Sequence, residues 1–512
     1  MKKPVSVLAI FLSVCMLFVS ACASPAEATA CREKVIIGFQ AKTSTTNPTA
    51  ETNVAHRIFF NLTHDTLVDY DEQAAAIVPG LAVEWEPDES YRVWRFTLRD
   101  GVRFHNGEPF TADDLVFTWE WARENAANAT VKNFYANIIE SVEALDDLHA
   151  VVTLQSGDID FLYTCANEYL SVLNKKAVTD DPAAGPSIGT GPFMNEEFVS
   201  GDHTLLQRFD RYWGELPPTK VLEFRYIADG STRLAALEAG EIDVCQAPNY
   251  TELDIIRAND SLGLTTYPAT ALTFLAFNLD DPVLQDENLR LAIAYTVNSQ
   301  EIIDGAASGQ GKVANGMWGN NEYGYFDDWA SVGLTPYNPP DPDKARAYLA
   351  KSAYPEGGVS LRFSCANAWA VNSLQIIQAQ LRQLNIDVEI EQLDAAGFGS
   401  MTAAHGHQVV IFSVPFNAAG TDAARIYTPG NSVNYASYHN DRVEELFALA
   451  AAESDDTKRK EYYKEIQIIV HTECPYIPLY YANSGAAYTK GLSGAVFNST
   501  GKFDYTRVKV ED

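Results

Sequence analysis

Basic side chains are scarce in this sequence. Its 512 residues include 37 Lys and Arg but 68 Asp and Glu, which gives a formal net charge of −31 at pH 7. Nucleic-acid-binding surfaces depend on basic residues that neutralise phosphates and release counterions. The composition therefore disfavours a nucleic-acid-binding protein.

Cysteine is also sparse, and no two cysteines have the CxxC spacing of a zinc knuckle. Two of the seven lie in the first 22 residues, and the other five are Cys31, Cys165, Cys245, Cys365 and Cys474. One or two disulfides are compatible with an exported protein, and buried free thiols are equally compatible with this wide spacing.

The common catalytic motifs are missing. HExxH, the Walker A loop and GxGxxG do not occur. A literal G-x-S-x-G stands at 185–189, but turn residues flank it, whereas a nucleophile elbow needs a strand before it and a helix after it. We therefore expect a protein that is not an enzyme and needs no cofactor, with a secreted hydrolase as the least favoured alternative.

No apolar run reaches the ~20 residues of a typical membrane-spanning helix. The chain begins with two lysines and a 15-residue apolar stretch, Val5–Val19, as in a secretory signal peptide. Val19-Ser20-Ala21-Cys22 resembles a lipoprotein box. We predict a signal peptide over 1–21, lipidation of Cys22 and a tether over 22–34, which places the protein outside the cytoplasmic membrane on a lipid anchor, at the cell surface or in the periplasm. The alternative is a plain secretory signal cut within 28–30.

The length exceeds the ~250–300 residues at which one hydrophobic core stops growing, so two or more lobes are expected. Strand and helix patterns alternate along the chain. A strand at 359–363, a helical stripe from Leu374 to Leu384 and a strand at 386–390 predict a parallel βαβ unit. These patterns indicate an α/β fold.

Other segments give local predictions. Thr111 with Asp114 three residues later predicts a helix start, and a last long helix is predicted over 457–471. The stretch 305–342 is rich in glycine and aromatic residues. Such a segment is either functional or packed against a lobe.

Several sequence blocks together resemble the family 5 extracellular solute-binding proteins, the peptide- and nickel-type receptors of ABC importers. The main block is Gly101-Val-Arg-Phe-His-Asn-Gly-Glu-Pro-Phe-Thr-Ala-Asp-Asp-Leu-Val-Phe117. The supporting blocks, in family order, are Leu81–Trp85, Gly189–Phe193, Arg211–Gly214, Ala236–Val244, Phe277-Asn278, Asn288–Ala294, Asp341–Ala345 and Cys474–Leu479. The resemblance runs from about residue 35 to the end.

The resemblance implies an α/β, two-lobed periplasmic-binding-protein clamshell (type II, cluster C-like). Lobe I is expected over 35–268, with an extra inserted subdomain at about 51–185 and a return at 484–512. Lobe II is expected over 269–483. The implied function is that of an extracytoplasmic receptor, a monomer that captures a peptide and delivers it to the permease and ATPase subunits of an importer.

For the ligand site, the resemblance directs attention to the segment after the lobe II strand that ends near Val414. Peptide-binding members carry there an acid that binds the ligand's amine, and here Phe416 or Asn417 falls at that position. We therefore predict Phe416, Asn417 and Asp422 as ligand contacts, together with Trp318 for stacking and Asn278 at the strand that opens lobe II.

Two alternatives stay open. One is a non-peptide solute such as nickel, with His405, His407 and His439 as the histidines that lie close in sequence. The other is a ligand sensor that uses the same fold without transport.

Overall fold

The computed structural model describes residues 32–42, 44–51, 54–71, 76–319, 323–366, 368–416, 419–431, 433–497 and 502–511. Within these ranges, no helix is both long enough and apolar enough to span a membrane. The predicted signal peptide, Cys22 and most of the tether lie outside the described residues.

The strands are β1 (Lys34–Phe39), β2 (Val68–Tyr70), β3 (Ile77–Pro79), β4 (Ala82–Pro87), β5 (Val93–Leu98), β6 (Ile139–Asp146), β7 (His149–Leu154), β8 (Phe193–Val199), β9 (His203–Arg208), β10 (Val221–Tyr226), β11 (Val244–Gln246), β12 (Leu262–Phe277), β13 (Gly311–Val313), β14 (Val359–Cys365), β15 (Ile386–Gln392), β16 (Val409–Pro415), β17 (Tyr476–Thr489), β18 (Leu492–Ser493) and β19 (Lys509–Val510).

The α-helices are α1 (Val54–Thr63), α2 (Ala112–Asn125), α3 (Ala129–Asn133), α4 (Phe161–Cys165), α5 (Lys175–Asp180), α6 (Gly230–Glu238), α7 (Leu253–Ala258), α8 (Glu287–Ala294), α9 (Ser299–Ala306), α10 (Pro342–Leu349), α11 (Ala368–Leu381), α12 (Ala395–Ala403), α13 (Ala419–Tyr427), α14 (Asp441–Ala452) and α15 (Asp456–Glu473).

Two long antiparallel strands, β12 and β17, join the two halves of the main sheet. The strand order is β15-β14-β16-β12-β17-β11-β1-β10-β9-β8, and β13 also pairs with β17. The β12–β17 register shifts between Pro268 and Leu272. Parallel pairs lie on both sides of these strands, with β1 between β10 and β11 on one side and β14 beside β15 on the other. Each half of the sheet has its own hydrophobic cores, so the chain forms two lobes.

Lobe I contains β1–β11, α1–α7 and the last two strands. Part of it is a separate antiparallel sheet of order β4-β5-β7-β6 with a core of its own. On β5 the apolar residues two apart, Trp94, Phe96 and Leu98, are buried. The helix start predicted at Thr111 is confirmed: α2 begins at Ala112, and the Asp114 carboxylate accepts a hydrogen bond from the Thr111 amide at 3.0 Å. The status of this region as an inserted subdomain stays a prediction.

Lobe II contains β13–β16 and α8–α15. The predicted parallel unit is confirmed, because β14 and β15 pair in parallel and α11 lies between them in the chain. The last long helix is also confirmed, as α15, with Tyr463, Ile466 and Val470 buried. The described parts of the aromatic stretch 305–342 pack into this lobe, where Trp318 and Trp329 are 0% and 1% exposed.

Two local questions from the sequence are answered by the fold. The four described cysteines, Cys165, Cys245, Cys365 and Cys474, are buried and form no disulfide with one another. The G-x-S-x-G serine lies in a short 3-10 turn, where its hydroxyl donates to the Ala184 carbonyl at 2.7 Å. This position is not the strand-to-helix corner that a nucleophile elbow requires.

Candidate functional site

A cavity of about 540 Å³ lies where lobe I faces lobe II. This volume is within the range of small-molecule sites, roughly 300–1,000 Å³. Lobe I contributes polar and aromatic side chains from the region of α3, β7 and α4, and lobe II contributes residues of α13, α15 and the loop after α13. The polar and aromatic side chains of its lining include Asn133, Asp158, Asp160, Tyr169, Asp422, Arg425 and Tyr463.

The lobe II side of the cavity carries one carboxylate and one guanidinium on a single helix turn. Asp422 lies in the first turn of α13, where a negative charge interacts favourably with the helix dipole. An Asp422 carboxylate oxygen lies 3.3 Å from Arg425 Nη1, and the two side chains are 13% and 29% exposed. In such a shielded space both charges act on a ligand more strongly than they would in water. The pair presents an anion and a cation to one solute.

The lobe I side is built on a buried charge network. Arg57 on α1 donates from Nε to the Glu168 carboxylate at 2.8 Å, and Lys502 pairs with the other oxygen of that carboxylate. The Arg57 guanidinium carbon also lies 5.7 Å from the centre of the Tyr169 ring. Tyr169 reaches the cavity wall, and burial is the main cause that raises the pKa of its hydroxyl. The network therefore fixes an aromatic wall opposite Asp422 and Arg425.

The lobes contact each other directly beside the cavity. Asp160, just before α4, forms an ion pair with Arg459 on α15. Tyr463 donates from its hydroxyl to the same carboxylate at 3.3 Å, and the Ile159 amide donates to the Ala451 carbonyl at 2.9 Å. The Arg459 guanidinium lies 4.6 Å from the centre of the Tyr323 ring. The Asp160 and Ile159 contacts cross between the lobes and hold them in a closed arrangement, whereas the Arg459–Tyr323 contact lies within lobe II.

Gly420 leaves room for these contacts. A Cβ at this position would lie 2.2 Å from the Tyr463 hydroxyl and 2.9 Å from Asp160 Oδ2. Both distances are far below van der Waals contact. The lobes can therefore approach this closely because residue 420 has no side chain.

The residues predicted from the sequence lie at different depths. Asp422 lines the cavity. Phe416 is fully buried in the lobe II core, with its ring centre 6.4 Å from that of Phe274. Trp318 is also fully buried, and its ring packs edge-on against Tyr463 at 5.5 Å. Asn417 lies outside the described residues.

Asn278 organises a turn at the start of lobe II. Its amide nitrogen donates to the carbonyls of His405 and His407 at 2.9 and 2.8 Å, and its oxygen accepts from the Asp280 amide at 3.1 Å. It borders a separate polar groove on lobe II. Of the residues predicted from the sequence, Asp422 therefore lies at the inter-lobe cavity, and Trp318 lies behind the cavity-wall residue Tyr463.

The histidines considered for nickel are held by other contacts. His407 Nε2 lies 2.7 Å from the Tyr435 carbonyl, and burial lowers the pKa of this imidazole. His439 stands with Asp441 and Glu444 at the start of α14, the one three-residue group within the described ranges whose ligand atoms lie close enough to hold a metal ion. His439 and Asp441 are exposed, and different ring nitrogens of His439 face the two carboxylates.

Sequence reasoning missed most of the cavity wall. Arg425 was detectable as the residue three positions after Asp422 on a helix. No local sequence pattern pointed to Tyr169, Asp158 or Asp160. Asp160, for example, meets Tyr463 across 303 positions of sequence.

Known proteins resemble the chain over nearly its whole length. The family model "Bacterial extracellular solute-binding proteins, family 5 Middle" matches residues 76–442. The dipeptide-binding protein of Escherichia coli (strain K12) is 26% identical over 491 residues, which cover 88% of this chain and 89% of that protein. The probable D,D-dipeptide-binding periplasmic protein DdpA of the same strain is 27% identical over 501 residues, covering 92% and 93%.

A solved structure shares the fold. The ABC transporter-associated periplasmic binding protein DppA from Helicobacter pylori, in complex with peptide STSA, superposes with a TM-score of 0.82 at 24% identity and covers 94% of this chain and 98% of that chain. The two-lobed α/β fold is therefore that of the periplasmic binding proteins. Because this family model matches more than half of the chain, the chain belongs to the family 5 bacterial extracellular solute-binding proteins.

Proposed function

We propose that the protein is the substrate-binding receptor of an ABC importer and that it captures a peptide between its lobes. The observation that carries this proposal is the Asp422–Arg425 pair facing the inter-lobe cavity. A peptide is a zwitterion, so a carboxylate can bind its amine and a guanidinium its carboxylate by charge-assisted hydrogen bonds. The relatives named for dipeptides support the same class of ligand.

Closure of the lobes distinguishes the ligand-loaded receptor from the empty one. A ligand favours the closed state only by the difference between its affinities for the closed and the open state. Contacts made from both walls of the cavity supply that difference. A permease that recognises the closed shape would then receive loaded receptors.

The proposal also covers the boundaries of the two lobes and the residues that form the peptide site. Lobe I comprises 35–268 and 484–512, with the inserted subdomain at about 51–185, and lobe II comprises 269–483. Asn417 contributes to the peptide site beside Asp422, and Phe416 supports that segment from the lobe II core. Trp318 supports the site through Tyr463, and Asn278 shapes the start of lobe II. The receptor acts as a monomer, alters no covalent bond of its ligand and hands it to permease and ATPase subunits.

A thermal-shift screen of the purified protein tests the ligand class. Peptide pools, nickel and sugars are compared, and we expect only peptides to raise the melting temperature. A ligand at 100 times its Kd stabilises the folded state by about 2.7 kcal/mol. A shift with nickel or sugars and none with peptides would replace the peptide by another solute.

A double variant, Asn417→Ala with Asp422→Ala, links that shift to the site. It should bind peptide at least tenfold more weakly, a loss of about 1.4 kcal/mol. Unchanged affinity in titration calorimetry would remove both residues from the site.

Lipidation of Cys22 gives a separate prediction. One acyl chain binds membranes only marginally, so stable anchoring needs more than one. The Cys22→Ser variant should lose its lipid and appear in the soluble extracytoplasmic fraction, whereas Cys31→Ser, the matched control, should stay with the membrane. Equal release of the unmodified protein and Cys22→Ser would exclude the anchor.

A further inference from the structure

Counted together with Arg459 just behind its wall, the cavity between the lobes has one more negative charge than its arginines balance. Three carboxylates line it, Asp158, Asp160 and Asp422, with a single guanidinium, Arg425. Arg425 pairs with Asp422, and Arg459, just behind the wall, pairs with Asp160. Asp158 is left over, because it forms no ion pair with any residue in the described ranges.

Asp158 is held in place by the backbone. Its amide donates to the Tyr91 carbonyl at 3.1 Å, and its Oδ1 accepts from the Asp160 amide at 2.9 Å. The side chain is half-buried and lies on the cavity wall. A fixed carboxylate of this kind is pre-organised to receive a cation.

Four titratable groups lie near Asp158. Asp160 and Cys165 belong to lobe I, and Arg459 and Tyr463 belong to α15 of lobe II. Burial, followed by the negative charge of Asp160, raises the pKa of Asp158 to about 7, and the Asp160 amide and Arg459 counteract this only in part. Without a ligand cation, this carboxyl therefore takes up a proton near neutral pH.

We propose that Asp158 is a specificity-determining residue that binds a cationic group of the ligand, so that the receptor prefers peptides with a lysine or arginine side chain. This inference rests on the proposed peptide-binding function. The ammonium or guanidinium group takes the place of the proton and restores charge balance in the cavity. Asn133 and Asn137 line the same cavity and add neutral hydrogen-bonding groups to it.

Calorimetric titration with matched peptides tests this selection. Alanine peptides of two to five residues are compared, each with lysine or glutamine at one position. We expect lysine at one position to improve affinity at least tenfold over glutamine. In Asp158→Asn this ratio should fall to near one, whereas Asp158→Glu and the exposed control Asp387→Asn should keep it.

The pH dependence of the same ratio needs no substitution. A lysine side chain binds the ionised form of Asp158, so its affinity must fall when the pH drops below the pKa of that carboxyl. With a pKa of about 7, the lysine-to-glutamine affinity ratio should fall about tenfold between pH 8 and pH 6. The terminal amine titrates alike in both peptides and cancels in the ratio.

The outcomes separate this inference from the function on which it rests. Peptides that bind with no preference for lysine, or with a preference that survives in Asp158→Asn, overturn the inference and leave the receptor role intact. A ratio that stays constant with pH counts against it in the same way. A protein that binds no peptide of any series loses both the inference and the proposed function.

Discussion

Replacing Arg459 by methionine is expected to weaken ligand binding about 100-fold or more. The Arg459 and Asp160 side chains are only 11% and 9% exposed in the closed arrangement. Removing one partner of a buried ion pair costs ~3–5 kcal/mol, because the other charge stays buried without compensation. Water can solvate Asp160 when the lobes open, so this cost falls on the closed state, which is the state that holds the ligand. Titration calorimetry with a bound peptide measures the loss.

Two further variants show whether closure is the cause. Arg442 pairs with Glu465 on the surface of lobe II, with both side chains 44% exposed. Arg442→Met should leave the affinity within about twofold, because exposed pairs contribute ~0–1 kcal/mol. The double variant Asp160→Asn with Arg459→Met removes both charges and should recover most of the lost affinity. Normal binding by Arg459→Met alone would contradict a role for this pair in closure.

Glu168→Gln should destabilise lobe I more than any surface substitution. The Glu168 side chain is 8% exposed and compensates both Arg57 and Lys502. Without its charge, the buried Arg57 and Lys502 both lose this counterion, while the charge of Asp69 still favours the charged form of Lys502, and burial already holds the pKa of Lys502 well below its usual value. By the same ~3–5 kcal/mol estimate, the first unfolding transition should move down by roughly 6 °C or more. Differential scanning calorimetry measures this shift.

A matched substitution separates charge balance from general damage. Glu124 is 71% exposed and lies on α2 of the same lobe, so Glu124→Gln should leave the melting temperature almost unchanged. Adding Lys502→Met to Glu168→Gln removes one of the two cations that Glu168 balanced and should restore part of the stability. Equal melting temperatures for Glu168→Gln and the unmodified protein would mean that the network adds nothing to stability.

Local sequence patterns were enough for many elements of the fold. Apolar residues two apart predicted β14 and β15, and a 3.6-residue stripe predicted α11 between them, because each pattern follows from the geometry of its own backbone. The pairing of β14 with β15 followed from the handedness and short reach of such connections. The family blocks added the two-lobed arrangement, which the fold comparison confirms.

The site was harder to predict for a physical reason. Trp318 looked suited to a ligand contact, but it is fully buried and packs against Tyr463 instead. An aromatic residue in a loop has the same sequence signature whether it faces a cavity or a core. Asp422 reached the cavity because the end of β16 and the start of α13 bring this segment to the lobe boundary.

The sequence alone determined the acidic character of the protein, its strands and helices, and its family, since these depend on composition, on short-range periodicity or on ordered motifs. Only the tertiary structure decided which charges meet at the boundary between the lobes. Asp158 and Asp160 approach Arg459 across about 300 residues of chain, and the closure of two separately folded lobes brings them together. Such contacts arise from packing at long range, so no local pattern in the chain specifies them.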